Sequence, residues 1–186
     1  MNNIIECISN KRSVRMFTGE QIPYDTIQEL LTLGTKASTG SNLQPWGFVV
    51  IQDKDEIAAL AQEVKSYLLA NLNQYPHFAQ YETALKNDGY NVLNHATTLI
   101  LVYGNSDSHW YVYDCSLAAG NIMLAAHSMG IGTCWIGYCE QYCNTPEFKK
   151  KYNVPEPFQL VSTLSCGYAK EPLSPPKRKP PVVFHK

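Results

Sequence analysis

The chain of 186 residues is 45% hydrophobic, which suits a globular core rather than a disordered chain, and it is long enough for one domain or one protomer of a dimer. Fifteen lysines and arginines face sixteen aspartates and glutamates, a near balance that argues against nucleic acid or an anionic membrane as the main partner. No apolar run approaches the roughly 18 residues of a membrane span, and MNNIIECISNKRSVR lacks the apolar centre of a signal peptide, so a cytoplasmic chain is expected.

Residues 3–10 put Ile4, Ile5 and Ile8 on one side of a helix. The next stretch, NKRSVRMF, is dense in cations, and EQIP at 20–23 forms a turn. Asp25 is placed to cap a helix reaching about Ala37, with Ile27, Leu30, Leu31 and Leu33 apolar. Then STGSNLQPW at 38–46 sets small and polar residues against a Pro and a Trp, directly before a core strand at 47–52. Ordinary turn chemistry accounts for such a stretch. So does a loop that serves a ligand, and the stretch alone leaves both open.

Asp53 to Asp55 start a helix to about Ala70, with Ile57, Leu60, Ala61, Val64 and Leu68 as its apolar stripe. Residues 71–95 are polar and aromatic, with Tyr75, Phe78, Tyr81 and Tyr90, and predict a short helical excursion able to cover a pocket. TTLILVYG at 97–104 is the clearest strand, β-branched and ended by Gly. A long helix from about Tyr111 to Met129 has a small-residue middle, LAAGNIMLAA, and is ended by Gly130 and Gly132. GTCWIGY at 132–138 is a short strand or loop, 140–151 gives one or two helical turns, and LVSTLSCGY at 160–168 is the last full strand. The tail KEPLSPPKRKPPVVFHK holds five of the eleven prolines and is therefore extended; VVFHK has the composition of an added edge strand, within the chain or on a neighbour.

The order α–α–β–α–β–α–β–β lacks regular β–α alternation, which argues for an α+β layer fold over residues 1–186 as a single domain. None of the six cysteines has C-x-x-C spacing. Cys134, Cys139 and Cys143 cluster, but without a fourth ligand they read better as small buried side chains than as a metal site. The five histidines are scattered and form no metal motif.

GIGTCW at 130–135 lacks the third glycine of a dinucleotide fingerprint and follows a helix rather than a strand, so it is no Rossmann turn. There is no P-loop, no G-x-S-x-G and no distinguishable acid–base pair. What remains is a pattern of cations: Lys11, Arg12 and Arg15 around Ser13, and Lys177, Arg178 and Lys179 in the tail. Brought together, two such clusters suit one phosphate monoester; left apart, they are a solvated surface.

NKRSVRMF, STGSNLQPW, DCSLAAGNIMLAAHSMG, GIGTCWIGY and PPKRKP occur in this order over nearly the whole chain. Together they resemble the nitroreductase family of FMN-dependent oxidoreductases. The resemblance implies a central antiparallel sheet flanked by helices, and a homodimer that holds each FMN with both chains. It implies that Arg12 and Ser13 serve the phosphate and ribityl chain, that Arg15 lies near the pyrimidine edge of the flavin, and that Arg178, helped by Lys177, holds the phosphate. The first basic position, usually Arg in the family, is Lys11 here, which keeps the charge and loses the bidentate fork. The 38–46 loop comes from the partner chain, with Ser38, Asn42 and Gln44 toward the flavin. Many relatives have Pro-Ser-Ser where this chain has Ser38, Thr39 and Gly40. Trp135, Ile136 and Gly137 run past the dimethylbenzene side and N5, where a backbone N–H of Ile136 or Gly137 donates; Trp135 fits that edge or the core equally. The resemblance also implies that the helix 114–129 forms the dimer core, its small residues letting helices cross closely.

The implied reaction passes hydride from NAD(P)H through flavin N5 to a small-molecule electron acceptor such as a nitroaromatic, quinone or flavin. No side chain is assigned as catalytic acid or base. A different flavin reaction on the same fold, dehalogenation or metabolite oxidation, and a non-enzymatic flavin-binding or redox-sensing role are the alternatives. The acceptor, and the choice of NADH or NADPH, are not written in any motif.

Overall fold

Thr98–Asn105 (β2) is buried on both faces, so it occupies an inner position of the sheet. The computed structural model describes residues 3–174 and 177–185. Among these residues a four-stranded sheet runs in the order β1–β2–β4–β3, with β1 at Trp46–Ile51, β3 at Ile131–Ile136 and β4 at Phe158–Tyr168. All three strand pairings are antiparallel.

Side-chain alternation along β2 divides the interior into two cores. Leu99, Leu101 and Tyr103 enter the first, together with the apolar stripe of Lys54–Ala70 (α3), Leu85 of the short helix Glu82–Leu85 (α4), and Phe148. Ile100 and Val102 enter the second, with Tyr24–Gly34 (α2) and Tyr111–Ser128 (α5). Asn3–Asn10 (α1) lies outside, against α5, where the Cys7 thiol donates to the Leu124 carbonyl at 3.3 Å. Pro146–Lys151 (α6) caps the first layer and starts with Thr145 accepting from the Phe148 N–H. The α+β layer architecture predicted from element order is the one observed.

Local differences have physical causes. Asp53 caps α3, accepting from the Glu56 N–H at 2.8 Å. Asp25 does not cap α2: Pro23 holds the N-cap position with no side-chain bond, and Asp25 sits in the first turn, where its charge faces the positive helix end. That helix crosses α5 closely at Gly34 and ends there rather than at about Ala37, where the Lys36 and Ala37 N–H groups turn to the Leu33 and Gly34 carbonyls three residues back instead of four. A Cβ on Gly34 would stand 2.8 Å from Ile122.

The small residues of α5 serve this internal crossing. Ala118, Ala119 and Ala126 are wholly buried inside their own chain. The surface α5 leaves outward includes the exposed Tyr113 and Leu117, and the half-buried Gly120 and, beside α1, Leu124 continue it at helix–helix spacing. Of VVFHK, the described residues 182–185 form no strand: Val182, Val183 and Phe184 are exposed. Pro175, Pro176 and Lys186 of the predicted extended tail lie outside the described residues, as do Met1 and Asn2.

The Tyr103 hydroxyl joins the sheet to the 142–144 turn by donating to the Cys143 carbonyl at 2.7 Å, fully buried. Tyr103→Phe keeps the ring and strands that carbonyl. It is expected to cost about 1–2 kcal/mol, lowering the melting temperature by roughly 3–6 °C for a chain of this size; calorimetry checks it.

Candidate functional site

The cationic segment after α1 is extended and tied across the end of the sheet. Ser13 forms a parallel bridge with Thr133 of β3, and the Val14 N–H donates to the Thr133 carbonyl at 2.9 Å. Phe17 bridges Ala169, and the Lys170 N–H donates to the Met16 carbonyl at 3.0 Å. Extended backbone turns alternate residues to opposite sides. Val14 is therefore buried against Gly132, while Ser13 and Arg15 face outward.

The same bonds lay the chain leaving β4 alongside this segment, and the tail returns Arg178 to it. Arg12, Ser13, Arg15 and Arg178, with Leu173 and Ser174, enclose a pocket of about 360 Å³. The two basic clusters thus meet. Lys11 registers the meeting: burial pushes its amine below the usual lysine value, and the nearby Arg178 charge pushes the same way. Lys11 is not part of the pocket wall; its Nζ lies 3.5 Å from the Met123 sulfur. Lys177 is exposed and also outside the wall.

Arg12 is held ready. Its Nη1 donates to the Ser9 and Lys11 carbonyls at 2.7 and 2.9 Å. Its Nε is buried with no partner among the described residues. A buried donor of this kind calls for an acceptor, and a phosphate oxygen meets that requirement.

Arg15 belongs to two cavities. Beyond it opens a cleft of about 610 Å³ whose floor is the outer end of β3 and the residues after it: Cys134, Trp135, Ile136, Gly137 and Tyr138. Trp135 is 39% exposed, so it is a cleft residue rather than a core one. Gly137 leaves open space, with nothing within 4 Å of where a Cβ would stand. Cys134 is buried, and burial raises its thiol pKa although Arg15 and Lys11 pull it down. It presents a neutral floor rather than a thiolate nucleophile.

The opposite wall is the 71–95 segment, which does cover a pocket. His77, Phe78, Gln80, Tyr81, Tyr90 and Asn94 line it. Tyr138 is the hub: Phe78 stacks on it at 28°, and Tyr81 and Tyr90 meet it edge-on at 82° and 85°. Tyr90 and Tyr138 share a hydroxyl–hydroxyl bond of 3.2 Å. Burial first, then that bond, raises the Tyr138 pKa, so it stays a phenol. Sequence reasoning marked the segment by its aromatic density and missed Gln80, Asn94 and Tyr138. No motif announces them. Asn94, in left-handed backbone at φ 59°, is the nearest thing to a signal.

Ser38, Asn42 and Gln44 are exposed, and none of them lines either cavity of its own chain. Their loop makes a 3-10 turn at Gly40–Asn42, and the Gln44 amide donates to the Asn42 side-chain oxygen at 3.2 Å. Of the predicted site residues, one chain therefore gathers Arg12, Ser13, Arg15, Arg178, Trp135, Ile136 and Gly137, with Lys11 beside them.

Comparison with known proteins gives this geometry a lineage. An FMN reductase (NADPH) of Bacillus subtilis is 31% identical over 146 residues, which cover 74% of this chain and 55% of that protein. An iodotyrosine deiodinase of Thermotoga neapolitana is 23% identical over 185 residues, 92% of this chain and 91% of its own length. A crystal structure of a nitroreductase with bound FMN from Bacteroides fragilis has a TM-score of 0.86 and 26% identity, covering 100% of this chain and 98% of that one. Residues 8–168 match the nitroreductase family, from the end of α1 to the end of β4 and thus through all four strands. The chain belongs to the nitroreductase family.

Proposed function

We propose that this chain is an FMN-dependent oxidoreductase of the cytoplasm, acting as a homodimer and passing hydride from NAD(P)H to an organic acceptor such as a nitroaromatic, quinone or flavin. One observation carries the reading: a pocket walled by Arg12, Ser13, Arg15 and Arg178 shares Arg15 with a neighbouring cleft floored by the end of β3. A phosphate at one end and a flat ring at the other need that sequence of surfaces. FMN supplies the two-electron redox chemistry; the chain's residues hold and tune it. Arg12 and Arg178 take the phosphate, with Ser13 as a hydroxyl partner. Arg15 sets a fixed positive charge where reduced flavin is negative, which favours reduction. Backbone N–H groups of Ile136 and Gly137 serve the N5 edge, with Trp135 beside them. Lys11 adds charge from behind, and Lys177 from the rim. No residue is assigned as acid or base.

Support for the dimer comes from what α5 leaves outward. Tyr113 is 64% and Leu117 51% exposed, on the seam that Gly120 and Leu124 continue. Apolar side chains in that pattern match a facing helix. In such a dimer the exposed Ser38, Asn42 and Gln44 serve the partner's flavin. The aromatic wall at Tyr81 and Tyr138 favours flat acceptors. The similarity to an iodotyrosine deiodinase supports dehalogenation as the alternative reaction on the same site.

The test is an absorbance spectrum of the purified protein, then anaerobic NADH and NADPH in separate cuvettes. Flavin bands that bleach with one nucleotide and return with an acceptor are the expected result. A protein that neither carries nor takes up FMN sinks the proposal. Bound flavin that neither nucleotide reduces shifts the reading to the alternative reaction, which an acceptor and halophenol screen then follows.

A further inference from the structure

The exposed 38–44 loop is anchored to a single buried carboxylate. Asp114, in the first turn of α5, is 4% exposed, and among the described residues no lysine or arginine forms an ion pair with it. Instead it accepts from the Thr39 hydroxyl at 2.8 Å and from the Gly40 N–H at 3.1 Å. The Thr39 oxygen in turn accepts from the Gln44 N–H at 3.0 Å. Both ends of the loop thus hang on Asp114, one directly and one through Thr39.

The loop is also pressed onto α5 from above. A Cβ on Gly40 would stand 2.5 Å from the Trp110 ring. Within this clamp Ser41, Asn42 and Gln44 all take left-handed backbone, at φ 50°, 57° and 49°. Non-glycine residues hold that conformation only where their surroundings impose it. Burying a carboxylate is unfavourable unless its hydrogen bonds compensate, and among the described residues every bond the Asp114 carboxylate accepts comes from the loop.

We propose that Asp114 is a positioning residue for the flavin. It fixes the 38–44 loop so that the Asn42 and Gln44 amides are preset for the FMN held by the partner subunit. The proposal rests on the FMN reading above. Asp114 touches no ligand; it acts through Thr39 and Gly40.

Asp114→Asn keeps the shape and replaces one acceptor oxygen by a donor. Thr39→Val removes the relay hydroxyl at a half-buried site and serves where Asp114→Asn folds poorly; Thr39→Ser keeps the hydroxyl. In FMN-free protein, hydrogen exchange at residues 40–44 should quicken in Asp114→Asn and Thr39→Val and stay slow in Thr39→Ser. The FMN dissociation constant should rise about tenfold in the first two and hold within about twofold in the third.

Mixed dimers give a readout that a merely structural role would not move. Asp114→Asn on one chain, paired with Arg12→Ala/Arg178→Ala on the other, leaves one intact pocket facing one intact loop, hence one tight FMN per dimer. Both lesions on the same chain, paired with wild type, leave no tight site. The reverse pattern would place the loop's action within its own chain and overturn the proposal. So would FMN affinity unchanged in both Asp114→Asn and Thr39→Val while the wild type binds normally. A wild type that binds no FMN would instead overturn the function reading, and the flavin role of Asp114 with it.

Discussion

Replacing Arg12 and Arg178 together by alanine is expected to weaken FMN binding at least about a hundredfold. A phosphate monoester carries roughly −1.5 to −2 charges near neutrality, and each charge-assisted hydrogen bond is worth about 1.5–3 kcal/mol. The two arginines do not contribute equally. Arg12 is half-buried, locked by the Ser9 and Lys11 carbonyls, and has a buried Nε with no partner among the described residues. It would meet a phosphate already ordered, so little side-chain entropy should be lost. Arg178 is exposed on an extended tail and should act through water-screened charge. Arg12 should therefore account for the larger share when the two are changed singly. Lysine at both positions keeps the charge, loses the planar fork, and should restore only part of the affinity.

Riboflavin makes the argument specific. It has the same ring system and no phosphate, so its affinity should stay within about twofold when both arginines are removed. Titration of both ligands into both proteins, followed by flavin fluorescence at two salt concentrations, decides the matter. The wild-type preference for FMN should shrink as salt rises, and should be nearly absent in the double variant. Equal losses for FMN and riboflavin would mean that the arginines support the ring cleft rather than the phosphate. No loss for either would place the phosphate outside the 12–15 and 178 cluster.

Much of this site was legible in the sequence, and the illegible part has a common cause. β2 was clear because a strand buried on both faces is apolar throughout, and the structure divides Leu99 and Leu101 from Ile100 accordingly. The basic clusters were visible as charge, yet nothing in their spacing said that the Phe17–Ala169 bridge lays the tail beside residues 12–15. Long-range pairing of that kind is decided by the whole fold. The resemblance of five ordered motifs had to supply it.

Asp25 shows the opposite failure. A residue of the right type stood two places late, and Pro23 already held the N-cap position. On α5 part of the small-residue stripe serves the chain's own interior, since Ala118, Ala119 and Ala126 are buried within the chain while Gly120 is only half-buried. A small-residue stripe says that something approaches closely, and cannot say what. Asp114 escaped notice for a similar reason. In sequence it is an acidic residue in a helix's first turn, which is where carboxylates are commonly found; only the folded loop shows what it holds.

Gly132→Ala is expected to lower stability by about 2–3 kcal/mol, or roughly 5–10 °C in melting temperature, and to weaken FMN binding at the same time. Gly132 lies in β3 directly over Val14. An added Cβ would stand 2.5 Å from Val14 Cγ2, 2.7 Å from its Cβ and 2.9 Å from its Cγ1. Val14 is 7% exposed and has nowhere to turn. Its backbone has to give, and that backbone is the one bonded to Thr133 and carrying Ser13 and Arg15 into the pocket proposed for the cofactor. One methyl group therefore acts on the core and on the site through the same displacement. Gly130→Ala separates the two effects: that glycine has φ 76° and nothing within 4 Å of its Cβ position, so the change should cost about 1–2 kcal/mol of backbone strain and leave FMN affinity alone. Val14→Ala added to Gly132→Ala removes two of the three colliding atoms, and should recover part of both losses, a positive coupling in a double-mutant cycle. Equal FMN affinity in the Gly132 and Gly130 variants would show that the Arg12–Arg15 segment keeps its place without Val14, and that its register on β3 is set by the Ser13–Thr133 bridge alone.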